Sequence, residues 1–335
     1  MVEVGMAIVL AAVGTAIVWK GSGWLEDAAD RLAIGYGLPA AVQGAIVAAA
    51  GSSMPELVSV LVSTLVHGEF ELGVGVIVGS AVFNLLVIPG IAVLIDEGLE
   101  TTRDLVYKEA LFYMLAVATL LLTFSLAVVY YPHDAGELGG TVTRPLALFP
   151  LGLYAFYVFT QYLDAADHDD ESDERVDLPR TWIRFGLGLA LIVVGVEALV
   201  RAAIDLGDAF GTPAFLWGMT VVAAGSSFPD AFVSVAAARS DRPTVTLANV
   251  LGSNVFDLLV AVPAGILVAG ALTIEFAHVA PMMGFLVLST VVVLAGMRTE
   301  MRLSRREAWL LLVLYAVFVA WLVLESVGMT SVIRP

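Results

Sequence analysis

The chain contains no cysteine, so disulfides, thiolate metal sites and thiol catalysis are excluded. Histidine is scarce. His67, His133, His168 and His278 all fall in or beside predicted loops, which leaves no expectation of a buried histidine metal cluster. No HExxH sequence and no histidine deep within a span argue against an intramembrane enzyme. There is no P-loop, so ATP does not drive the protein. Lysine is nearly missing: Lys20 and Lys108 stand against 14 arginines, with a net charge of −16. An acidic, lysine-poor surface is a solvation device for high salt, and a halophilic source is the expectation. Charged residues of both signs make up only 14% of the chain, against about 25% in ordinary soluble domains.

Apolar sequence is abundant: 59% of residues are hydrophobic and the mean hydropathy is +0.93. The chain reads as an all-α, polytopic membrane protein. Hydropathy predicts ten transmembrane helices near 4–20, 39–66, 71–95, 105–129, 145–163, 182–205, 213–238, 244–270, 277–297 and 305–327. The run from Val4 to Val18 lacks a basic leader and a cleavage site, so it reads as the first span and not as a signal peptide. The amphipathic tract from Trp24 to Gly37 reads as a helical continuation lying at the interface. The second, third, seventh and eighth spans carry Gly, Pro, Ser or Asn at mid-span, as broken or kinked helices do.

Two of those interruptions are the same sequence written twice. Gly51-Ser-Ser-Met-Pro-Glu56 recurs as Gly225-Ser-Ser-Phe-Pro-Asp230, at an offset of 174. Gly79-Ser-Ala-Val-Phe-Asn84 recurs as Gly252-Ser-Asn-Val-Phe-Asp257, at an offset of 173. The copies lie five spans apart, an odd number, so the second half enters the membrane from the opposite side. The chain divides into a first five-helix repeat over 1–163 with its motif at 51–91, an acidic linker over 164–180, and an inverted five-helix repeat over 181–335 with its motif at 225–265. With both termini outside, 13 basic residues fall in inside loops and three, Arg144, Arg201 and Arg334, fall outside. The positive-inside rule therefore places the linker in the cytoplasm. Its run of like charges reads as a short disordered segment.

Helical spacing sets Ser52, Ser53 and Glu56 on one face, and likewise Ser80 with Asn84. Ser226, Ser227 and Asp230, and Ser253 with Asp257, repeat the geometry. Pro55 and Pro229 each remove a backbone donor, so the broken turns supply free carbonyls, expected from Ala49 and Ala223. The inventory is oxygen alone, which suits hard cations, either one Ca²⁺ or several Na⁺. Three intramembrane carboxylates, Glu56, Asp230 and Asp257, cost roughly 8–10 kcal/mol at about 2.5–3.5 each on insertion scales. No cationic side chain in the same spans offsets that, and bound ions or protons do so instead. Gly73, Gly75, Gly79 and Gly252 read as packing positions, Pro89 and Pro263 as kinks or helix ends, and Glu197, Arg201 and Asp205 as a structural cluster on a helix surface.

The paired blocks resemble the alpha repeats of the sodium/calcium exchanger family, within the wider cation/Ca²⁺ antiporter superfamily, and fit a prokaryotic, haloarchaeal type. The family pattern is Gly-Thr/Ser-Ser-x-Pro-Glu followed by Gly-Ser-Asn-x-Phe-Asn or -Asp, and the resemblance spans the whole chain. It implies Glu56 and Asp230 as central Ca²⁺ ligands shared with Na⁺, with Asn84 and Asp257 flanking the middle site. It implies Ser52, Ser53 and Ser80 toward the inside, Ser226, Ser227 and Ser253 toward the outside, and the carbonyls of Ala49 and Ala223 completing the shells. The chain departs from the pattern at Ala81, where Asn is usual, at Ser52 and Ser226, where Thr is usual, and at Asp230, where Glu is usual.

The combined reading is a secondary transporter, not an enzyme, that exports Ca²⁺ in exchange for Na⁺ by alternating access. It needs the lipid bilayer, no cofactor, no nucleic acid and no protein partner, and works as a monomer in the cell membrane. A proton- or K⁺-coupled antiporter of the same fold is the alternative, and a cation channel stands further off.

Overall fold

The computed structural model describes residues 2–38, 47, 49–96, 99–103, 105–133, 138–165, 176–238, 243–299, 301–326, 329–330 and 332–333. Most of the expected linker, residues 166–175, lies outside these, as do residues 39–46 at the start of the second expected span and the 239–242 loop.

Among the described residues, eight helices are long and apolar enough to cross a membrane. The two remaining expected spans are the ones that carry the Gly-Ser-Ser turns, and both are segmented. The first consists of α2 (Ala49–Ser52) and α3 (Met54–Leu65), separated at Ser53, with Pro55 in the opening turn of α3. Proline is tolerated there because the first turn has no intrahelical acceptors for its donors. The second runs as α8 (Ala214–Trp217), a π-helical turn over Gly218–Val222, and α9 (Ala223–Ala238), with Pro229 inside.

Helix α1 (Val2–Gly35) is one continuous helix of 34 residues. The tract after Trp24 is helical as expected, and it packs against the protein. It runs on as the last turns of α1, burying Leu25, Ala28, Ala29, Leu32 and Ala33. At 1.5 Å per residue α1 is about 50 Å long, well beyond the roughly 30 Å hydrocarbon core. Its main partner is the equally long α7 (Leu178–Phe210). The two cross at facing glycines: a Cβ on Gly14 would sit 2.8 Å from the Gly195 carbonyl, and one on Gly21 2.9 Å from that of Gly188. Small residues let the backbones approach where lipid provides no hydrophobic drive between helices. The pair has its own apolar cluster, including Val18, Leu25, Ile192, Val196 and Leu199.

The larger core is built by α4 (Phe70–Asp96), α5 (Ala110–Tyr130), α10 (Pro243–Phe256), α11 (Val262–Ala269), α12 (Phe276–Arg298) and α13 (Arg305–Ser326), with α6 (Arg144–Ala165) at its edge. A π-helical turn over Asp257–Ala261 joins α10 to α11. Pro89 sits inside α4 and Pro263 in the first turn of α11.

Two small ribbons reveal the inversion. Strand β1 (Leu99–Glu100), between α4 and α5, pairs antiparallel with β4 (Arg302–Leu303), between α12 and α13. Strand β2 (Gly139–Thr143), between α5 and α6, pairs with β3 (Ala271–Glu275), between α11 and α12. Because α5 separates β1 from β2, the ribbons lie on opposite faces of the membrane. Helix α4 therefore ends at one face and its counterpart α11 at the other. Parallel repeats would have placed β1 and β3 on the same face. Exchanging the halves turns one ribbon into the other, as a two-fold axis in the membrane plane requires.

Candidate functional site

The inverted arrangement carries the two motif regions to the middle of the molecule, where α3, α4, α9 and α10 meet. Helix α4 crosses the α8–α9 segment at very short range. A Cβ on Gly75 would lie 2.7 Å from the Phe215 carbonyl, and one on Gly79 would run into the Met219 backbone, 2.7 Å from its Cα. Glycine is required because no side chain fits at this crossing, and it seats Ser80 against the second half. The expected packing role holds at both positions. Gly252, the counterpart of Gly79, has more room, with Tyr157 Oη at 3.8 Å and Ala49 Cβ at 4.0 Å.

Every sequence-predicted site residue is buried. Glu56 is 1% exposed, Asp230 4% and Asp257 1%, and Ser53, Ser80, Asn84, Ser227 and Ser253 are fully enclosed. Ser52, Ser226, Ala49 and Ala223 are buried as well. Hydrogen bonds cross between the halves. Glu56 Oε1 accepts from Ser80 Oγ of the first half at 3.3 Å and from Ser227 Oγ of the second at 3.0 Å. Those two hydroxyls lie 2.6 Å apart. Ser53 Oγ donates to the Ser253 carbonyl at 3.3 Å. Asn84 Nδ2 donates to Asn254 Oδ1 at 3.1 Å. Glu56, Asp230 and Asp257 are close enough for each charge to act on the others.

The polar atoms left over are informative. Among the described residues, Glu56 Oε2, Asn84 Oδ1 and both carboxylate oxygens of Asp257 are buried with no hydrogen-bond partner. All four are acceptors. An orphaned buried acceptor costs about 1–3 kcal/mol, and more when charged, so four of them in one region mark a place made for something that donates or carries positive charge. Among the described residues no three acidic or histidine side chains close into a ready-made metal cage. The carboxylates share the site with hydroxyls and an amide.

Two expectations shift. The Ala49 carbonyl already accepts from the Ser53 backbone at 3.2 Å and from Ser52 Oγ at 3.3 Å, and the Ala223 carbonyl accepts from Ser226 Oγ at 3.2 Å. The carbonyls four residues before Pro55 and Pro229 belong to Gly51 and Gly225, which proline leaves without the usual helical donor. The surface cluster is also more than local. Glu197 pairs with Arg201 on α7 and reaches His67, beyond α3, at 3.0 Å, so it ties α7 to the motif-bearing segment.

Sequence reasoning missed two neighbours. Asn254 is fully enclosed and links Asn84 to the Ala81 carbonyl. Its signal was the middle Asn of the second Gly-Ser-Asn turn. Glu26 on α1 packs beside Gly51, with its Cγ 3.8 Å from a Cβ built there, and its charge acts on Glu56 and Asp230. Nothing in the motif spacing points to it, because α1 reaches the site only through tertiary packing.

Comparison with known proteins agrees with this arrangement. The chain matches the sodium/calcium exchanger protein family over residues 6–163 and 180–324. It is similar to inner membrane protein YrbG of Escherichia coli, 25% identical over 264 residues that cover 76% of this chain and 78% of the relative. It is also similar to sodium/calcium exchanger MaX1 of Methanosarcina acetivorans, 24% identical over 295 residues covering 77% and 81%. Its fold is similar to that of the sodium-calcium exchanger NCX_Mj, solved after soaking with 2.5 mM Na⁺ and 10 mM Sr²⁺, with a TM-score of 0.63 at 22% identity over 95% of this chain and 99% of that one. With both halves matched and the two motif regions brought to one site, the chain belongs to the sodium/calcium exchanger family.

Proposed function

We propose that this multi-pass membrane protein exports Ca²⁺ in exchange for Na⁺, with both ions using in turn the oxygen site shared by its halves. The observation that carries this reading is the set of enclosed acceptors without donors: Glu56 Oε2, Asn84 Oδ1 and Asp257 Oδ1 and Oδ2. Hard cations are what such a set binds. Glu56 and Asp230 grip Ca²⁺, Asn84 and Asp257 flank it, and Ser52, Ser53, Ser80, Ser226, Ser227 and Ser253 supply hydroxyls for Na⁺ when their protons turn away. Backbone carbonyls at the Gly-Ser-Ser turns, from Ala49 and Ala223 or the adjoining Gly51 and Gly225, complete the shells. Ca²⁺ cancels two of the three carboxylate charges, and several Na⁺ do the same on the return. The empty site keeps its buried charge and crosses poorly, which couples the two fluxes.

The working unit is one chain: a first repeat over 1–163, a cytoplasmic linker over 164–180 and a second repeat over 181–335, with both termini outside. The ribbon of β1 and β4 lies by Arg103, Lys108, Arg305 and Arg306, which supports reading its face as cytoplasmic under the positive-inside rule. Alternating access exposes the same site to each side, with no cofactor or protein partner.

The test is tracer Ca²⁺ uptake into proteoliposomes loaded with Na⁺ and diluted into Na⁺-free buffer. Uptake that requires the outward Na⁺ gradient is expected. Uptake driven equally by a pH gradient alone, or passive flux with no counter-ion, would overturn the reading.

A further inference from the structure

The amide at Asn84 faces a choice that its own side chain cannot make. One side of an asparagine amide is an acceptor oxygen and the other an NH₂ donor, and a half-turn about χ2 exchanges them. Only the oxygen can meet a cation. In this site the orientation is set from outside. Asn254 Nδ2 lies 3.2 Å from the backbone carbonyl of Ala81, and a carbonyl can only accept. The Asn254 NH₂ must therefore face Ala81, which turns Asn254 Oδ1 toward Asn84. That oxygen too can only accept, so Asn84 must turn its Nδ2 to it, at 3.1 Å. Asn84 Oδ1 is left buried and without a partner among the described residues, as are both oxygens of Asp257, three residues on from Asn254.

The two motifs are unequal at this point. Asn254 has Ala81 as its counterpart, so only one amide of the pair is present, and it does the orienting across the axis. Asn254 is itself fully enclosed, so water does not compete for its bonds.

We propose that Asn254 is a positioning residue that fixes the rotation of the Asn84 amide, so that Asn84 presents its carbonyl oxygen to the transported cation and never its NH₂. The inference rests on the reading of Asn84 as a ligand.

The test is a double-mutant cycle on Na⁺-driven Ca²⁺ uptake, with KM and Vmax read separately on monodisperse protein. Asn254→Ala frees the Asn84 amide to rotate and should raise the Ca²⁺ KM about tenfold or more, the scale on which metal sites respond to losing an outer partner. Asn84→Asp carries oxygen on both sides and needs no orientation, so in that background Asn254→Ala should raise the KM no further. Asn254→Ser, which leaves a smaller void and cannot span both partners, should repeat the pattern if the alanine variant folds poorly. An unchanged KM in Asn254→Ala or Asn254→Ser, or the same rise in both backgrounds, would overturn the proposal, since a merely structural loss is not rescued at position 84. Failure of the functional reading shows separately, as a parent protein without Na⁺-driven uptake.

Discussion

Glu56 holds the centre of the site by accepting hydroxyl bonds from both halves through one oxygen while its other oxygen stays free. Glu56→Gln keeps an acceptor for Ser80 and Ser227 but removes the charge and puts an NH₂ donor in place of the free oxygen. Tracer Ca²⁺ uptake should fall to background while the variant stays monodisperse and inserted. Uptake equal to the parent's would remove Glu56 from the site. At this scale the sequence was legible wherever chemistry repeats. Two matching motifs named Glu56, Asp230, Asn84, Asp257 and the serines, and all of them are buried together. What could not be read was partnership. Asn254 bonds to Asn84 and Ala81, and Glu26 packs at Gly51, through contacts between residues far apart in the chain. Helical spacing orders neighbours on one helix and is silent about facing helices.

The elements that build the site are those with the poorest helical sequence. Glycine, serine and proline break the second expected span at Ser53 and segment the seventh, and each leaves backbone groups available near the middle of the molecule. That much follows from the residues. The π-helical turns at Gly218–Val222 and Asp257–Ala261 do not, because one extra residue in a turn leaves no mark on an apolar run. Such turns are frequent at functional sites, and this one starts at Asp257 itself. The partner of α1 does not follow from the residues either: its amphipathic end packs on α7, whose glycines allow close approach. The glycines of the two motifs separate in a testable way. Gly79→Ala drives a methyl group into the Met219 backbone and should destabilise by about 1–3 kcal/mol, as overpacking does, with loss of transport. Among the described residues Gly252→Ala meets nothing nearer than 3.8 Å, and it should leave the melting temperature almost unchanged. Equal shifts in thermal unfolding of the purified variants would contradict the crossing described here.

At the scale of the whole molecule, two independent signs agree on inversion: five spans between motif copies in the sequence, and strand pairings that put α4 and α11 ends on opposite faces. The proposed orientation rests on charge. With no native cysteine, Ser172→Cys in the acidic linker should react with an impermeant thiol reagent only from the cytoplasmic side, and labelling of intact cells from outside would reverse the topology. The central claim is that one set of oxygens serves both ions. It is tested most directly by equilibrium Ca²⁺ binding to the purified protein at increasing Na⁺. The expected result is an apparent Kd that rises steeply with Na⁺, by more than the first power because several Na⁺ replace one Ca²⁺, with the number of Ca²⁺ sites unchanged. A Ca²⁺ affinity indifferent to Na⁺ would mean that the two ions occupy separate sites, and the shared site would be contradicted.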